Sequence, residues 1–275
     1  MTAPMHINSV DAVSGARAVL RDLGRGLALG RVWRAFAWDE VQNRYRRSLL
    51  GVAWIAIAYA FFVVAILMFF RGFAARGDGA FLHYVAVGLA AFQFLVGILA
   101  DGCQVFVGAS TWLKSTALPY SIYVYKSIAR SLFPFAIQLT VAFVIMVATG
   151  WRPTFGALLA LPALGIYLVN AVWVQILLGH VAARWRDVSH LIGTIQRVLF
   201  FATPILWVYE ERSGAVRALA DVNPLTHYIE IFRAPLLGEP MNPISWPLVL
   251  VFTAIGWLAA IAVSSRMRRR LPFLV

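Results

Sequence analysis

Arg44, Arg46 and Arg47 lie within four positions of one another, directly before an apolar run that opens at Leu49. Guanidinium groups grip phosphate oxygens two at a time, so this cluster has the chemistry to hold a phosphorylated headgroup. The same charges also suit orientation signals and contact with anionic lipid. Gln196, Phe200, Thr203 and Trp207 recur at steps of four, three and four, one narrow arc of a helix. Tyr167, Asn170 and Trp173 share a broader face of the apolar run before it. Amides and hydroxyls among aromatic rings can hydrogen-bond hydroxyls and stack on apolar C–H faces, although aromatic stripes serve plain helix packing as well. Arg197 sits inside an apolar run, a costly place unless it pairs, faces a wet cavity or snorkels. Between two apolar runs, Ala109 to Arg130 carries Lys114, Pro119, Tyr120, Tyr123, Tyr125 and Lys126.

Enzymatic constellations are missing from this inventory. His6, His83, His180, His190 and His227 are isolated, no His-Glu-x-x-His occurs, and Cys103 is the single cysteine. That pattern excludes a cysteine-rich metal site and a disulfide framework, and no paired carboxylates share one apolar run for hydrolysis or glycosyl transfer. Asp101 is the one acid close to a bilayer interior and is expected to be paired or wetted. A phosphate-cradling loop would need a second glycine where Leu113 stands, between Gly108 and Lys114-Ser115, so nucleotide is expected on another chain. A proton-coupled carrier would want mid-membrane acids and repeated halves with broken helices, and neither is found.

The elements that must position these residues are membrane helices. Of 275 residues 61% are hydrophobic and 13% charged, and mean hydropathy is +0.77, outside the range of a soluble domain. Six segments approach the roughly 20 apolar residues that a crossing needs, at about 49–70, 81–107, 128–149, 155–181, 191–208 and 244–265. The sequence therefore predicts an all-α integral membrane protein with six transmembrane helices in one domain over 49–265. Seventeen of the 24 Lys and Arg residues fall before the first segment, in alternate connections or in the 266–275 tail. Six, including Arg71 and Arg76, fall on the other side, which predicts both termini in the cytoplasm. The net charge of +12 thus reads as topology and lipid contact, with no nucleic-acid partner.

The 1–48 segment predicts an amphipathic interface helix. Val13, Ala16, Leu20, Leu23 and Leu27 form its apolar stripe beside Arg17, Arg21 and Arg25, and Trp33, Phe36 and Trp38 follow. Residues 209–243 are too polar to span, and Asn223-Pro224 splits them into two short helices that would re-enter from the outer side.

Taken in order, several short runs resemble the permease subunits of type-2 ABC exporters that move polysaccharides such as O-antigen, capsule and teichoic acid. They are Arg44-Tyr45-Arg46-Arg47-Ser48-Leu49-Leu50-Gly51-Val52-Ala53-Trp54, then Arg184-Trp185-Arg186-Asp187, then Phe200-Phe201-Ala202-Thr203-Pro204-Ile205. Asn223-Pro224-Leu225 with Arg233 completes the set, so the likeness runs from about residue 33 to the end. The family often has a proline soon after the tryptophan; here Tyr59 stands there, leaving any shared kink open.

The resemblance implies a multi-pass protein of the bacterial inner membrane, working as a homodimer beside two copies of a separate ATPase. That partner would hold ATP and magnesium, leaving this chain without cofactor, metal or enzymatic activity. The cargo would be a polyprenyl-pyrophosphate-linked glycan. On that reading Arg44, Arg46 and Arg47 gather the pyrophosphate, and Tyr59, Tyr167, Asn170, Trp173, Gln196, Arg197, Phe200, Thr203 and Trp207 give the weak, repeated contacts that conduction requires. Lys114, Pro119, Tyr120, Tyr123, Tyr125 and Lys126, in a loop over 109–130, would couple to the ATPase, unless that loop is an ordinary basic connector. The helices within 209–243 would gate the outer end. A drug- or lipid-exporting permease of the same superfamily is the alternative.

Overall fold

Long apolar stretches give the backbone no hydrogen-bond partner but itself. The computed structural model describes residues 9–46, 48–70, 72 and 77–275, with side chains from residue 15 onward except Asp78, and every regular element among them is helical. His6, Arg47, Arg71 and Arg76, and the side chain of Val13, lie outside the described residues. Helices α1 (Ser9–Ala28) and α2 (Gly30–Tyr45) come first, followed by α3 (Ala53–Phe70), α4 (Asp78–Gln104), α5 (Ser110–Ser115) and α6 (Ser121–Ala148). Then come α7 (Ala160–Arg184), α8 (Asp187–Ala202), α9 (Gly214–Val222), α10 (Pro224–Leu237), α11 (Ser245–Met267) and α12 (Leu271–Leu274).

Among the described residues five helices are long and apolar enough to cross a membrane, one fewer than the six segments predicted. The segment expected as the fifth crossing forms α8, whose 16 residues reach roughly 24 Å against a hydrocarbon core of about 30 Å. Pro204 explains its end: proline bars helix at the residue before it, and Thr203 is extended at φ −97°, ψ 137°. The arc predicted through Thr203 and Trp207 therefore stops at Phe200. The predicted 109–130 loop is shorter as well. Helix α6 begins at Ser121, so Tyr123, Tyr125 and Lys126 are helical.

Helix α4 is the hub. Of its apolar window 61% is buried, against 17–28% for the other four long helices, and it touches α3, α6, α7, α8 and α10. Ala86, Gly88, Ala90 and Ala91 let these neighbours come close. Helix α8 runs antiparallel along α4. Ser189 Oγ meets Gln104 Nε2 (3.3 Å) at one end, Gln196 Nε2 donates to the Val96 carbonyl (2.6 Å), and the Tyr209 N–H reaches Tyr84 Oη (3.3 Å) at the other.

Helix α10, at 14 residues too short to rank among the long apolar helices, is almost wholly enclosed. Thr226 to Leu236 are all buried, packed on α4, α7 and α11. Asn223 caps it by accepting the Leu225 N–H (3.0 Å), Pro224 takes the first turn, and Gly238 closes it at φ +69°. The two short helices expected on either side of Asn223-Pro224 thus differ: α10 is enclosed by protein, whereas of α9 only Ala220 is buried.

Helix α1 has three faces. Val19, Asp22 and Gly26 are buried against α6 and α11, Leu20 and Leu27 of the apolar stripe stay exposed, and Arg17, Arg21 and Arg25 point outward. Asp22 ties the two chain ends together. Its carboxylate accepts the N–H groups of Tyr120 (3.2 Å) and Ser121 (2.9 Å) and pairs with Arg268 (2.8 Å). The tail is packed rather than free, with Leu271 fully buried.

Candidate functional site

Where α2 gives way to α3, exposed Arg44 and Arg46 line a polar hollow of about 590 Å³ with Asn43 and Ser48. Ser48 Oγ accepts the N–H of Gly51, whose φ of +53° makes the turn into α3 and holds the hollow at the foot of that helix. Behind it, an ion-pair ladder fixes α2 and α4 to α6. Glu40 pairs with Lys126 (2.7 Å) and Arg130 (3.2 Å), and Arg130 pairs with Asp101 (2.7 Å), which also accepts from Ser131 Oγ. Burial pushes the Glu40 carboxyl up, but Lys126 and Arg130 outweigh it and hold it below the usual carboxylate range. Asp101 is paired, as expected.

The six coupling candidates divide by exposure. Tyr123 is 2% exposed, Tyr125 donates to the Leu23 carbonyl (3.2 Å) and tilts against Trp33, and Tyr120 lies under Arg268. Lys126 is held by Glu40 and Pro119 is half-buried. Lys114 alone of the six is exposed, beside Trp112 at 53% exposure. The sequence reading passed over Trp112, although a tryptophan two residues from a lysine in a connector was its available signal.

The substrate-path candidates divide the same way. Tyr167 is fully buried and donates to the Tyr228 carbonyl (2.7 Å). Asn170 Oδ1 accepts from Trp173 Nε1 (2.6 Å) and Tyr228 Oη (2.7 Å), while its Nδ2 reaches Thr253 (2.9 Å), which knits α7, α10 and α11 together. Tyr59 is buried, its hydroxyl on the Ala86 carbonyl. Thr203 is buried and accepts from Asn223 Nδ2 (2.8 Å). Trp207 closes on the Phe201 carbonyl (3.2 Å). What stays near the surface is Phe200, which stacks between Phe62 of α3 and Phe92 of α4, and Arg197, exposed on α8 beside Thr194, Val198 and Phe201.

The end of the bundle opposite the Asp22–Arg268 pair closes on Arg233. It is 4% exposed, donates to the Pro204 carbonyl and to Tyr84 Oη (2.8 Å each), and its guanidinium lies 3.5 Å from the Tyr84 ring centroid. Gly88 faces it so closely that a Cβ there would sit 2.9 Å from Nη1. Beside it, Ser245 Oγ donates to Glu230 Oε2 (2.8 Å) and meets His227 Nδ1 (2.9 Å), and Glu230 Oε1 accepts the Asn242 N–H (2.6 Å). The residues on both sides of the 203–204 break are thereby joined to α9 and α10.

The sequence matches the ABC-2 type transporter family over residues 31–237. The chain belongs to that family. Similar proteins include the O-antigen export system permease protein RfbA of Myxococcus xanthus, 23% identical over 248 residues, covering 88% of this chain and 93% of that one. Two proteins of the same name from Klebsiella pneumoniae are 19% and 17% identical, covering 78% and 84% of this chain and 83% and 90% of their own lengths. The chain is therefore a multi-pass membrane protein of an ABC-2 transporter. Arg44 in the last turn of α2, Phe200 in the last turn of α8 and Arg233 in α10 all lie within the matched range.

Proposed function

We propose that this chain is the permease subunit that carries a polyprenyl-pyrophosphate-linked polysaccharide across the bacterial inner membrane. In this reading it is a homodimer driven by two copies of a separate ATPase, which hold the ATP and magnesium. The observation that carries the reading is the near full-length similarity to three relatives named as O-antigen export permeases.

Parity supports six crossings with both termini cytoplasmic. The Asp22–Arg268 pair puts the element before α3 and the element after α11 at one end, which requires an even number of traverses. Helix α8, continued past its proline break by the irregular residues 203–208, supplies the sixth. The division into an interface segment (1–48), a transmembrane domain (49–265) and a basic tail (266–275) follows from that topology. Arg44 and Arg46, with Arg47, gather the pyrophosphate, and the exposed α3–α8 surface around Phe200 and Arg197 carries the glycan. Helices α9 and α10 form the outer gate, and the ATPase seats on Trp112 and Lys114.

Inverted membrane vesicles holding this chain and its ATPase test the reading. Adding ATP should move a radiolabelled lipid-linked glycan into the lumen, where an impermeant glycosidase cannot cut it. A glycan that stays cleavable while a hydrophobic dye is pumped would assign the chain to drug or lipid export instead.

A further inference from the structure

The α3–α6 groove is distinct from every candidate above except Tyr59. It encloses about 600 Å³ and is lined by Trp54, Ile57, Phe61 and Phe62 of α3, with Gln93 of α4 and Gln138 of α6 at its floor. From Trp54 to Phe62 it follows α3 for about 12 Å, from the foot of the helix toward the middle of the bilayer. Trp54 and Phe61 are 56% and 76% exposed, so their ring faces are available.

The floor decides what fits. Gln138 Nε2 donates to Gln93 Oε1 at 2.7 Å, and neither amide has another partner among the described residues. Both N–H groups of Gln93, one of Gln138 and the Gln138 carbonyl are left over. Hydrocarbon cannot satisfy them, and each unmade bond costs on the order of several kcal/mol at this depth. A lipid chain in the groove leaves that cost standing. A hydroxyl-bearing ring removes it, offering donors and acceptors to the amides and C–H faces to the aromatic rings. The foot of the groove lies six residues beyond Ser48, where Arg44 and Arg46 line the polar hollow, and no acidic side chain lines the groove itself. A molecule carrying phosphate at one end and sugar beyond it matches both ends.

We propose that this groove is a sugar-binding subsite inside the membrane, with the Gln93–Gln138 pair as its hydrogen-bonding floor and Trp54 and Phe61 as its stacking wall. The proposal rests on the glycan-export reading and names the residues that recognise the sugar nearest the pyrophosphate.

The full chain in lipid nanodiscs is titrated with two probes, polyprenyl pyrophosphate and polyprenyl-pyrophosphoryl disaccharide. One to two neutral hydrogen bonds to sugar hydroxyls correspond to about tenfold tighter binding of the disaccharide probe. Gln93→Leu with Gln138→Leu should cut that factor several-fold while leaving the affinity for the bare carrier unchanged, and Trp54→Leu should lower it with the amides intact. Equal affinity for the two probes in the unaltered chain overturns the subsite, needs no variant to fold, and leaves the export reading standing. A sugar preference that is undiminished in the double Leu variant also overturns it. Binding of neither probe overturns both the subsite and the reading beneath it.

Discussion

Arg233→Lys keeps a buried positive charge but loses the planar fork that reaches Pro204 and Tyr84 at once. One hydrogen bond from a charged donor contributes about 1.5–3 kcal/mol and a desolvated cation–π stack about 1–2, so the loss is about 2–4 kcal/mol after relaxation. At roughly 2–4 °C per kcal/mol for a chain of this size, the unfolding midpoint in detergent should fall by about 5–15 °C. Gly88→Ala approaches the same node from α4 without altering charge. Its new Cβ would sit 2.9 Å from Nη1, so the guanidinium must move off its partners, at a cost of about 1–3 kcal/mol. The two changes should therefore be coupled. In an Arg233→Leu background, where the clash is gone, Gly88→Ala should cost almost nothing, giving a coupling of at least about 1 kcal/mol against the roughly 0.3–0.5 expected of independent sites. The assay is a double-mutant cycle of thermal unfolding followed by tryptophan fluorescence. Additive effects, or a harmless Gly88→Ala in the unaltered chain, would refute the claim that Arg233 clamps α10 to α4 and to the 203–208 segment.

The Glu40 ladder gives a pH dependence with a definite sign. Its carboxyl lies below the usual value when folded, so the stability it contributes is present above its unfolded value of about 4.3 and is lost as pH falls through the folded one. Unfolding midpoints between pH 7 and 3 should fall less steeply below about pH 4.5 in Glu40→Gln, by a modest amount because Glu40 is partly screened by solvent; equal slopes would deny the ladder any role in stability. Trp112→Ala should weaken copurification with the ATPase at least tenfold at unchanged abundance, whereas Tyr123→Phe should leave it intact because that ring is buried in its own chain. The opposite pattern would move the coupling surface to the 184–190 turn.

Much of this architecture is legible in the sequence because apolar length is a local property. Five of the six predicted segments coincide with long helices to within about five residues, α6 excepted at its start, and Asn223-Pro224 marks the α9–α10 break where it occurs. The same proline rule applies at Thr203-Pro204, where a rich apolar run outweighed it and led to a continuous helix being expected. Partner choice is the part that spacing does not encode. Asp22 reads as one more charge in a basic helix until the fold brings the start of α6 and the tail against it, 98 and 246 residues away in sequence. Tyr167, Asn170 and Trp173 share a face as expected, but that face meets α10 and α11 rather than an open path.

Exposure therefore sorts the candidates where residue type alone cannot. A polar side chain in an apolar helix must find a partner, and in this chain most find one inside the protomer: Asp101 with Arg130, Asn170 with Tyr228, Glu230 with Ser245. Their residue types suit substrate contact equally well, yet their hydrogen-bonding capacity is already used. Arg44, Arg46, Lys114 and Arg197 are exposed, and Gln93 and Gln138 satisfy each other only in part. An unmet amide in hydrocarbon is unstable and an exposed guanidinium suits phosphate, so these residues mark where a contact from outside the chain would change the energy most.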